Sequence, residues 1–548
     1  MPHGTRTWRE ARMQTEPTLL LLFLIASVVA IAARRLHLPY TVSLVLVGLG
    51  LGALQLVKAP TLTQDILFMV FLPGLIFEAA FNMRFANLWR DRLAILGLAI
   101  PGVAISIGLT ASLLVLATTV FHHLFGASME PIGWGLALVF GAAVAATDPI
   151  SVVALFRRIG VPKRLTLLLE GESLLNDGTA IVFFGLVLSY IMHQTSGPSG
   201  LFIEFGRVVG GGLIAGGIVG LIAAYALQRI DDTMIEITIT MLVAYGSFLL
   251  ADQLGFSGVI STVTAGLICG NYATRPTVSP GSLLAMRSFW EYLGFALNSL
   301  VFLLMGFEIQ LDSLLSIWPL ILISWLAVTL ARGFVIAGVQ SMLRFTNARI
   351  PKTWGLILTW GGLRGALSMV LALGLPADLP AREPIINLVF GFVLLSILLQ
   401  GLSMTALARR LGLVGDERLK VYETAAARRR IATDALAEID RLRQSELYAP
   451  SILDALADIH RQQLEQARTA LDEVGIDPQL SWREDWVHLR RHMLTFEQNR
   501  LTQAHRDGDL SEAAYERLRT ELDARSLDIE TMDTAPAMPG AFSSSKSS

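Results

Sequence analysis

Apolar residues fill long stretches of the first three quarters of the chain, and most polar residues lie in the short segments between them. A helix needs about 20 consecutive, mostly apolar residues to cross a bilayer. Thirteen stretches approach or exceed that length, near residues 18–33, 40–57, 65–81, 93–121, 132–157, 163–192, 201–228, 233–252, 257–272, 288–308, 316–343, 354–375 and 385–408. The pattern predicts an all-α polytopic membrane protein with about thirteen transmembrane helices.

The charged residues divide the chain into two parts. Only 16% of the 548 residues are charged and 53% are hydrophobic, and the mean hydropathy of +0.57 is far above that of a soluble enzyme. Residues 411–548 nevertheless hold 18 Lys or Arg and 25 Asp or Glu. We therefore expect an N-terminal extension (1–17), a transmembrane domain (18–410), an α-helical cytosolic tail (411–532) and a disordered end (533–548).

Basic residues in the connecting segments predict the orientation, because cytoplasmic loops carry an excess of Lys and Arg. With the N-terminus outside, the outside loops hold three basic residues, Lys58, Arg207 and Arg382. The cytoplasmic side holds seventeen: Arg34, Arg35, Arg84, Arg90, Arg92, Arg157, Arg158, Lys163, Arg164, Arg229, Arg275, Arg287, Arg344, Arg349, Lys352, Arg409 and Arg410. This difference outweighs the three arginines of the N-terminal tail. The sequence predicts a multi-pass protein of the cell membrane with its N-terminus outside and its C-terminal tail in the cytoplasm.

Two of the spans contain residues that interrupt a helix. The span 132–157 carries Asp148, which can cap a half-helix, followed by Pro149, which can open one. The span 354–375 carries the sequence WGGLRG at residues 360–365. Thirteen spans with a glycine-rich one at 201–228 suggest two inverted six-helix repeats joined by that helix, with the two breaks at corresponding positions. Transporters built in this way bind their substrate at mid-membrane, between the broken helices.

The segment EGESLLND, residues 170–177, places carboxylates inside an apolar span. A charged side chain at the bilayer centre costs roughly 2.5–3.5 kcal/mol even on lenient scales, so such residues face a protein or water-filled interior and are functional by default. On a helix, Ser173 and Asp177 share one face, and Glu172 and Asn176 share another. A carboxylate with a hydroxyl and an amide nearby offers oxygens that suit Na⁺. Asp177 is therefore the favoured ion-binding residue, whereas for Glu172 we favour a carboxylate that holds two helices together.

Four charged residues, Asp148, Asp177, Arg332 and Arg364, each lie near the middle of a span. Two acids and two bases at one depth of the bilayer must neutralise one another, so we expect a compact polar layer. Glu78 lies closer to the cytoplasmic end of the span 65–81. For this residue, the lining of an access funnel and a plain interfacial carboxylate are equally open interpretations.

Five motifs, in the family's order, resemble those of the bacterial NhaP-like and eukaryotic sodium/proton exchangers. They are LPGLIFEAA, ATDPISVVALF, VPKRLTLLLEGESLLNDGTAIV, LARGF and TWGGLRGALSMVLAL, and the resemblance covers roughly residues 18–410. It implies a homodimer in which a core bundle moves like an elevator against a dimerisation part. The core bundle comprises about 93–192 and 316–410, the dimerisation part about 18–81 and 233–308, and 201–228 is the linker helix.

The resemblance also implies which side chains bind the ions. Asp177 carries the cation or the proton, Ser173 and Thr147 supply further oxygens to Na⁺, and Asn176 supports the site. Glu78 matches an acid that approaches the ion in some archaeal members. The resemblance therefore implies a transporter of Na⁺ and H⁺ and not an enzyme. It implies no cofactor.

The remaining buried charges then have structural roles in the resemblance. Asp148 and Arg364 compensate the ends of the half-helices, and Glu172 pairs with Arg332. A single carboxylate is left to titrate, so the sequence predicts electroneutral exchange of one Na⁺ for one H⁺. Li⁺ or K⁺ in place of Na⁺ stays open, and a cation channel is the alternative from another functional class. No feature indicates nucleic-acid binding.

Overall fold

The computed structural model describes most of the chain, in segments with short gaps. The described residues are 20–33, 35–36, 39–54, 66–125, 131–192, 198–230, 232–272, 280–346, 348–379, 381–414, 417–445, 447–474 and 478–531. The predicted N-terminal extension and disordered end lie outside these residues, as do three of the basic residues that set the predicted orientation: Arg34, Lys58 and Arg275. Contacts between residues divide the chain into two compact units, with the boundary after Val414.

The first unit is built from helices in its described residues. Their bounds are α1 Leu20–Ala33, α2 Tyr40–Ala53, α3 Leu67–Asn82, α4 Phe85–Arg90, α5 Arg92–Leu124, α6 Trp134–Ala143, α7 Ile150–Ile159, α8 Lys163–Ile191, α9 Pro198–Leu227, α10 Thr233–Gln253, α11 Gly258–Tyr272, α12 Pro280–Glu308, α13 Leu311–Ser316, α14 Trp318–Leu343, α15 Lys352–Trp360, α16 Ala366–Leu373 and α17 Arg382–Arg410. Among the described residues, seven of these helices are long and apolar enough to cross a membrane, and five more are apolar but shorter. The prediction of an all-α membrane protein is confirmed.

Two crossings are interrupted where the sequence predicts a break. Residues 144–149 separate α6 from α7, and residues 361–365 separate α15 from α16. α7 begins at Ile150, one residue after Pro149, and Asp148 accepts a hydrogen bond from the N–H of Ile150 at 3.0 Å. The backbone N–H of Asp148 donates to the carbonyl of Leu363 at 2.7 Å, so the two interruptions meet.

Helix α5 widens locally around a proline. Its residues Leu98–Gly102 form a π-helical turn that contains Pro101, which has no N–H to donate. The hydroxyl of Thr179 on α8 donates to the carbonyl of Ala99 at 2.6 Å. The widened turn thereby ties α5 to the helix that carries Asp177.

Small residues bring the helices of this unit into close contact. A Cβ on Gly212 of α9 would overlap the backbone of Ser257, directly before α11, and a Cβ on Gly216 would overlap that of Ser261 in α11. The glycine-rich span thus packs closely on its neighbour at these two positions. Other positions in it are open, since a Cβ on Gly206 would meet no atom within 4 Å.

The second unit consists of helices in its described residues, α18 Glu417–Gln444, α19 Pro450–Val474, α20 Pro478–Arg506 and α21 Glu512–Thr531. α18 and α19 pack on a small apolar core that contains Ile439, Leu453 and Ala457. An exposed ion pair between Arg443 of α18 and Asp454 of α19, with 2.6 Å between the charged atoms, also connects these two helices.

Candidate ion-binding site

Asp177 lies near the middle of α8, in a partly buried position. Its carboxylate has no hydrogen bond and no ion pair among the described residues. The charged groups that act on it are Asp148 and Glu172, which repel it, and Arg364, which attracts it. An additional cation or proton at Asp177 therefore relieves both the repulsion and the penalty of partial burial.

Three buried side chains beside Asp177 connect α8 to the break between α6 and α7. Ser173 donates a hydrogen bond to the carbonyl of Thr147 at 2.5 Å. Asn176 donates from Nδ2 to the hydroxyl of Thr147 at 3.1 Å and to the carbonyl of Ala145 at 3.2 Å. The Oδ1 atom of Asn176 is buried without a hydrogen-bond partner. The structure thus brings the hydroxyls of Ser173 and Thr147 and the carbonyls of Thr147 and Ala145 to the segment of α8 that precedes Asp177.

Glu172 is buried and faces a base on another helix. Arg332 on α14 donates from Nη1 to Oε1 of Glu172 at 2.9 Å and from Nη2 to Oε2 at 2.8 Å. Its Nε donates to the carbonyl of Leu358 at 2.9 Å. A Cβ on Gly362 would overlap the guanidinium of Arg332, so only glycine fits there. This pair joins α8, α14 and the broken crossing α15–α16.

Arg364 binds the end of the other broken crossing. Its Nη1 donates to the carbonyls of Ala145 and Ala146, which follow the C-terminus of α6, with 2.9 Å to Ala146. A cation there offsets the partial negative charge of a helix C-terminus. Ser396 on α17 accepts the backbone N–H of Arg364 at 3.4 Å and donates to Gln400 at 2.7 Å.

Asp148 lies against the second break. A Cβ on Gly365, directly before α16, would overlap the carboxylate of Asp148. The carboxylate also accepts the N–H of Ile150 at the start of α7. Asp148 therefore lies at the N-terminal ends of two half-helices, where a negative charge offsets the helix dipoles.

Glu78 is placed apart from this cluster. It accepts a hydrogen bond from Asn82 at 3.0 Å and contacts the Gly294 backbone of α12, where a Cβ would lie 3.0 Å from its Cγ. The charges that act on it are Arg157, Glu170 and Glu291. No contact between Glu78 and Asp177 is found in the described residues.

Sequence reasoning missed several groups that support the site. The sequence indicates that the motif containing Gly362 and Gly365 breaks a helix and resembles the family's motif, but not that Gly362 makes room for the side chain of Arg332 and Gly365 for that of Asp148. The buried Asp91, which accepts a hydrogen bond from Nη2 of Arg164 at 2.6 Å, anchors the start of α8. Residue spacing along one helix does not reveal these contacts, because in each the partner residue lies far away in the sequence.

The chain is similar to known proteins over most of its length. Residues 20–410 match the family described as sodium/hydrogen exchanger, transmembrane. The chain is 38% identical over 449 residues to the Na⁺/H⁺ antiporter ApNhaP of Aphanothece halophytica, covering 81% of this chain and 84% of that protein. It is 32% identical over 486 residues to the Na⁺/H⁺ antiporter NhaG of Bacillus atrophaeus, covering 86% and 89%.

The fold resembles a solved structure. It matches that of the sodium proton antiporter MjNhaP1 from Methanocaldococcus jannaschii with a TM-score of 0.59 and 23% identity, covering 74% of this chain and 99% of that one. Helical architecture, matched span and close relatives lead to one conclusion. The chain belongs to the sodium/hydrogen exchanger family.

Proposed function

We propose that the chain exchanges Na⁺ for H⁺ across a membrane, with Asp177 carrying each ion in turn. One observation carries this assignment. Among the other charged groups of the polar layer, Arg332 binds Glu172, Arg364 binds carbonyls, and Asp148 accepts a backbone N–H. Asp177 has no such partner among the described residues, so it is the carboxylate that is available to an ion.

The exchange follows from competition for this one carboxylate. Partial removal from water penalises the charged form of Asp177, and either a proton or a cation removes that penalty. Na⁺ takes oxygen ligands, which Ser173 and Thr147 supply beside Asp177 in this proposal, and Asn176 holds those oxygens in place. Glu78 completes the proposed set as an accessory carboxylate. Binding of Na⁺ then expels the proton, and protonation expels Na⁺.

Asp148 and Arg364 have the role of fixed counter-charges in this proposal. They offset the ends of the half-helices, and the Glu172–Arg332 pair stays intact through the cycle. Because one carboxylate carries either one proton or one monovalent cation, the exchange is one for one and electroneutral. No cofactor takes part.

The proposed transport cycle is an elevator movement in a homodimer of the cell membrane. The core bundle, about 93–192 and 316–410, moves against the dimerisation part, about 18–81 and 233–308. The excess of basic residues on one side of the membrane supports an outside N-terminus and a cytoplasmic tail.

Exchange of K⁺ or Li⁺ for H⁺ is the nearest alternative, and a cation channel is the more distant one. Reconstituted protein in liposomes tests all of them through the dissipation of a pH gradient when Li⁺, Na⁺ or K⁺ is added over a range of pH. We expect Na⁺ to dissipate the gradient with saturation at high concentration. A response to K⁺ alone would make the protein a K⁺/H⁺ exchanger, and currents of many ions per opening event would make it a channel.

A further inference from the structure

Helix α2 is fixed against α12 by close contacts. A Cβ on Gly48 of α2 would overlap the carbonyl of Leu303 in α12, so the two backbones touch there. The hydroxyl groups of Tyr40 and Ser299 share a hydrogen bond of 2.7 Å. The ring of Tyr40 stacks on that of Phe295, with 5.3 Å between their centroids. Both helices belong to the proposed dimerisation part, and these contacts make them one rigid pair.

The residue after Tyr40 contacts the proposed core bundle. The hydroxyl of Thr41 shares a hydrogen bond with the hydroxyl of Ser151, in the first turn of α7. Thr41 is buried, with 3% of its surface exposed. Ser151 follows Ile150, whose N–H donates to the carboxylate of Asp148. The bond therefore joins α2 to the end of the half-helix that lies beside the polar layer.

Other contacts along the boundary between the two proposed parts are apolar. Val42 of α2 faces Gly401 of α17, where a Cβ would lie 3.1 Å from the Cγ2 atom of Val42. Gly178 of α8 packs on Ile260 of α11. Apolar packing has no preferred direction, whereas a hydrogen bond is lost once its two atoms separate by more than about one ångström. Sliding of the two parts can thus exchange one set of apolar contacts for another, but it breaks a hydrogen bond between them.

We propose that the hydrogen bond between Thr41 and Ser151 is a latch, which holds the core bundle in the position that the structure shows and opens in each transport cycle. If the core bundle moves against the dimerisation part, α7 moves past α2, and the bond is made in only one of the two end positions. One such bond favours that position by about two- to tenfold. The opening rests on the proposed function, whereas the contact itself does not.

A reversible cross-link tests the latch. The single native cysteine, Cys269, is buried, so the thiols introduced by Thr41→Cys and Ser151→Cys are the ones that react. Side chains in hydroxyl contact lie within reach of a disulfide. We expect oxidation of this double variant in liposomes to form the disulfide and to abolish exchange, and a reductant to restore exchange. Na⁺ should still raise the unfolding temperature of the oxidised protein, because the ion site stays intact and only the movement is blocked.

The matched control is a hydroxyl pair inside the proposed dimerisation part. Thr233 of α10 and Ser282 of α12 are joined by a hydrogen bond of 2.7 Å. Neither residue contacts the proposed core bundle through this bond. We expect Thr233→Cys/Ser282→Cys to form its disulfide under the same conditions and to exchange at the same rate before and after oxidation.

Single substitutions test the latch without a cross-link. Thr41→Val keeps the shape of the side chain and removes the hydroxyl, as Ser151→Ala does on the other side. We expect both to change the apparent KM for Na⁺ by about two- to tenfold, in opposite directions on the two faces of the membrane, because they shift the balance between the end positions. The double variant should show no larger effect than either single variant, since both remove the same bond. Thr41→Ser, which keeps the hydroxyl, should behave as the wild type does.

Several results would overturn the proposal. Undiminished exchange by the oxidised Thr41→Cys/Ser151→Cys protein would show that α7 does not leave α2, and failure to form the disulfide would show that the two residues do not touch. KM shifts of the same sign on both faces would make Thr41 a support of the ion site and not a latch. A wild type that exchanges no cation would overturn the proposed function itself, whereas an active wild type with an active cross-linked variant would overturn the latch alone.

Discussion

Arg332 holds Glu172 with two parallel hydrogen bonds, of 2.9 and 2.8 Å, between α14 and α8. Both side chains are buried, with 10% and 3% of their surfaces exposed. Each charge therefore depends on the other in a region where an unpaired charge is costly. The pair occupies the base of the polar layer that lies nearest Glu172, and Asp177 is the acid of that layer with no hydrogen bond or ion pair among the described residues.

Removal of one partner of this pair should destabilise the membrane domain strongly. We expect Glu172→Gln or Arg332→Met alone to cost on the order of 3–5 kcal/mol, because the remaining charge is buried without a partner. The double variant should recover much of this loss. Thermal unfolding in detergent measures all three.

The control for this prediction is an exposed ion pair of the same domain. Arg157 and Glu170 are 2.8 Å apart, with 70% and 28% of their side chains exposed. Their single variants should lose less than about 1 kcal/mol. A Glu172/Arg332 double variant that is no more stable than either single variant would show that the two side chains do not act as a pair.

Gly362 should tolerate no side chain. A Cβ there would overlap the guanidinium of Arg332, so Gly362→Ala should displace it and cost about 1–3 kcal/mol. Gly338 on α14 is the matched control, because a Cβ there meets no atom within 4 Å, and its alanine variant should be neutral or more stable. Equal unfolding temperatures of both alanine variants would contradict the assigned contact.

The positions of the helices can be predicted from the sequence because a membrane span requires a long apolar segment. The span 163–192 corresponds to α8, Lys163–Ile191. The span 288–308 begins eight residues too late, since α12 starts at Pro280. Ser282 and Arg287 lower the hydropathy of its first turns, although the backbone there is already helical.

The site is predictable only in part. Depth in the bilayer predicts that the buried charges share one layer, because isolated charges are too costly there. Depth does not indicate which base binds Glu172, since Arg332 and Arg364 lie at similar depths. The prediction that Arg332 is the partner came from the family resemblance. The close approach at Gly362 and the hydroxyl of Thr179 on Ala99 depend on crossing geometry, which no local pattern encodes.

Glu78 should affect the affinity for Na⁺ but not the ability to exchange. It contacts Asn82 and Gly294, outside the cluster around Asp177. We therefore expect Glu78→Gln to raise the apparent KM for Na⁺ severalfold and to retain exchange in liposomes. Glu170→Gln, which removes a nearby acid, is the control. Complete loss of exchange in Glu78→Gln alone would make Glu78 a second ion carrier.

The exchange should be insensitive to membrane voltage. In the proposed cycle Glu172 stays bound to Arg332, so Asp177 alone carries an ion and crosses in the same charge state in both directions. A potassium/valinomycin diffusion potential of 100 mV would otherwise supply about 2.3 kcal/mol per charge moved. Exchange that speeds up or reverses with the sign of the voltage would rule out the one-for-one mechanism and indicate that Glu172 also titrates.

The most direct test of the account replaces Asp177 with Asn and measures both ions in the same liposomes. The variant removes the only carboxylate of the polar layer that has no partner among the described residues, and it keeps the shape of the side chain. We predict that Asp177→Asn unfolds at a temperature close to that of the wild type, yet shows neither Na⁺ uptake against a proton gradient nor dissipation of that gradient on addition of Na⁺. A folded Asp177→Asn protein that still couples the two fluxes would contradict the assignment of Asp177 as the ion carrier.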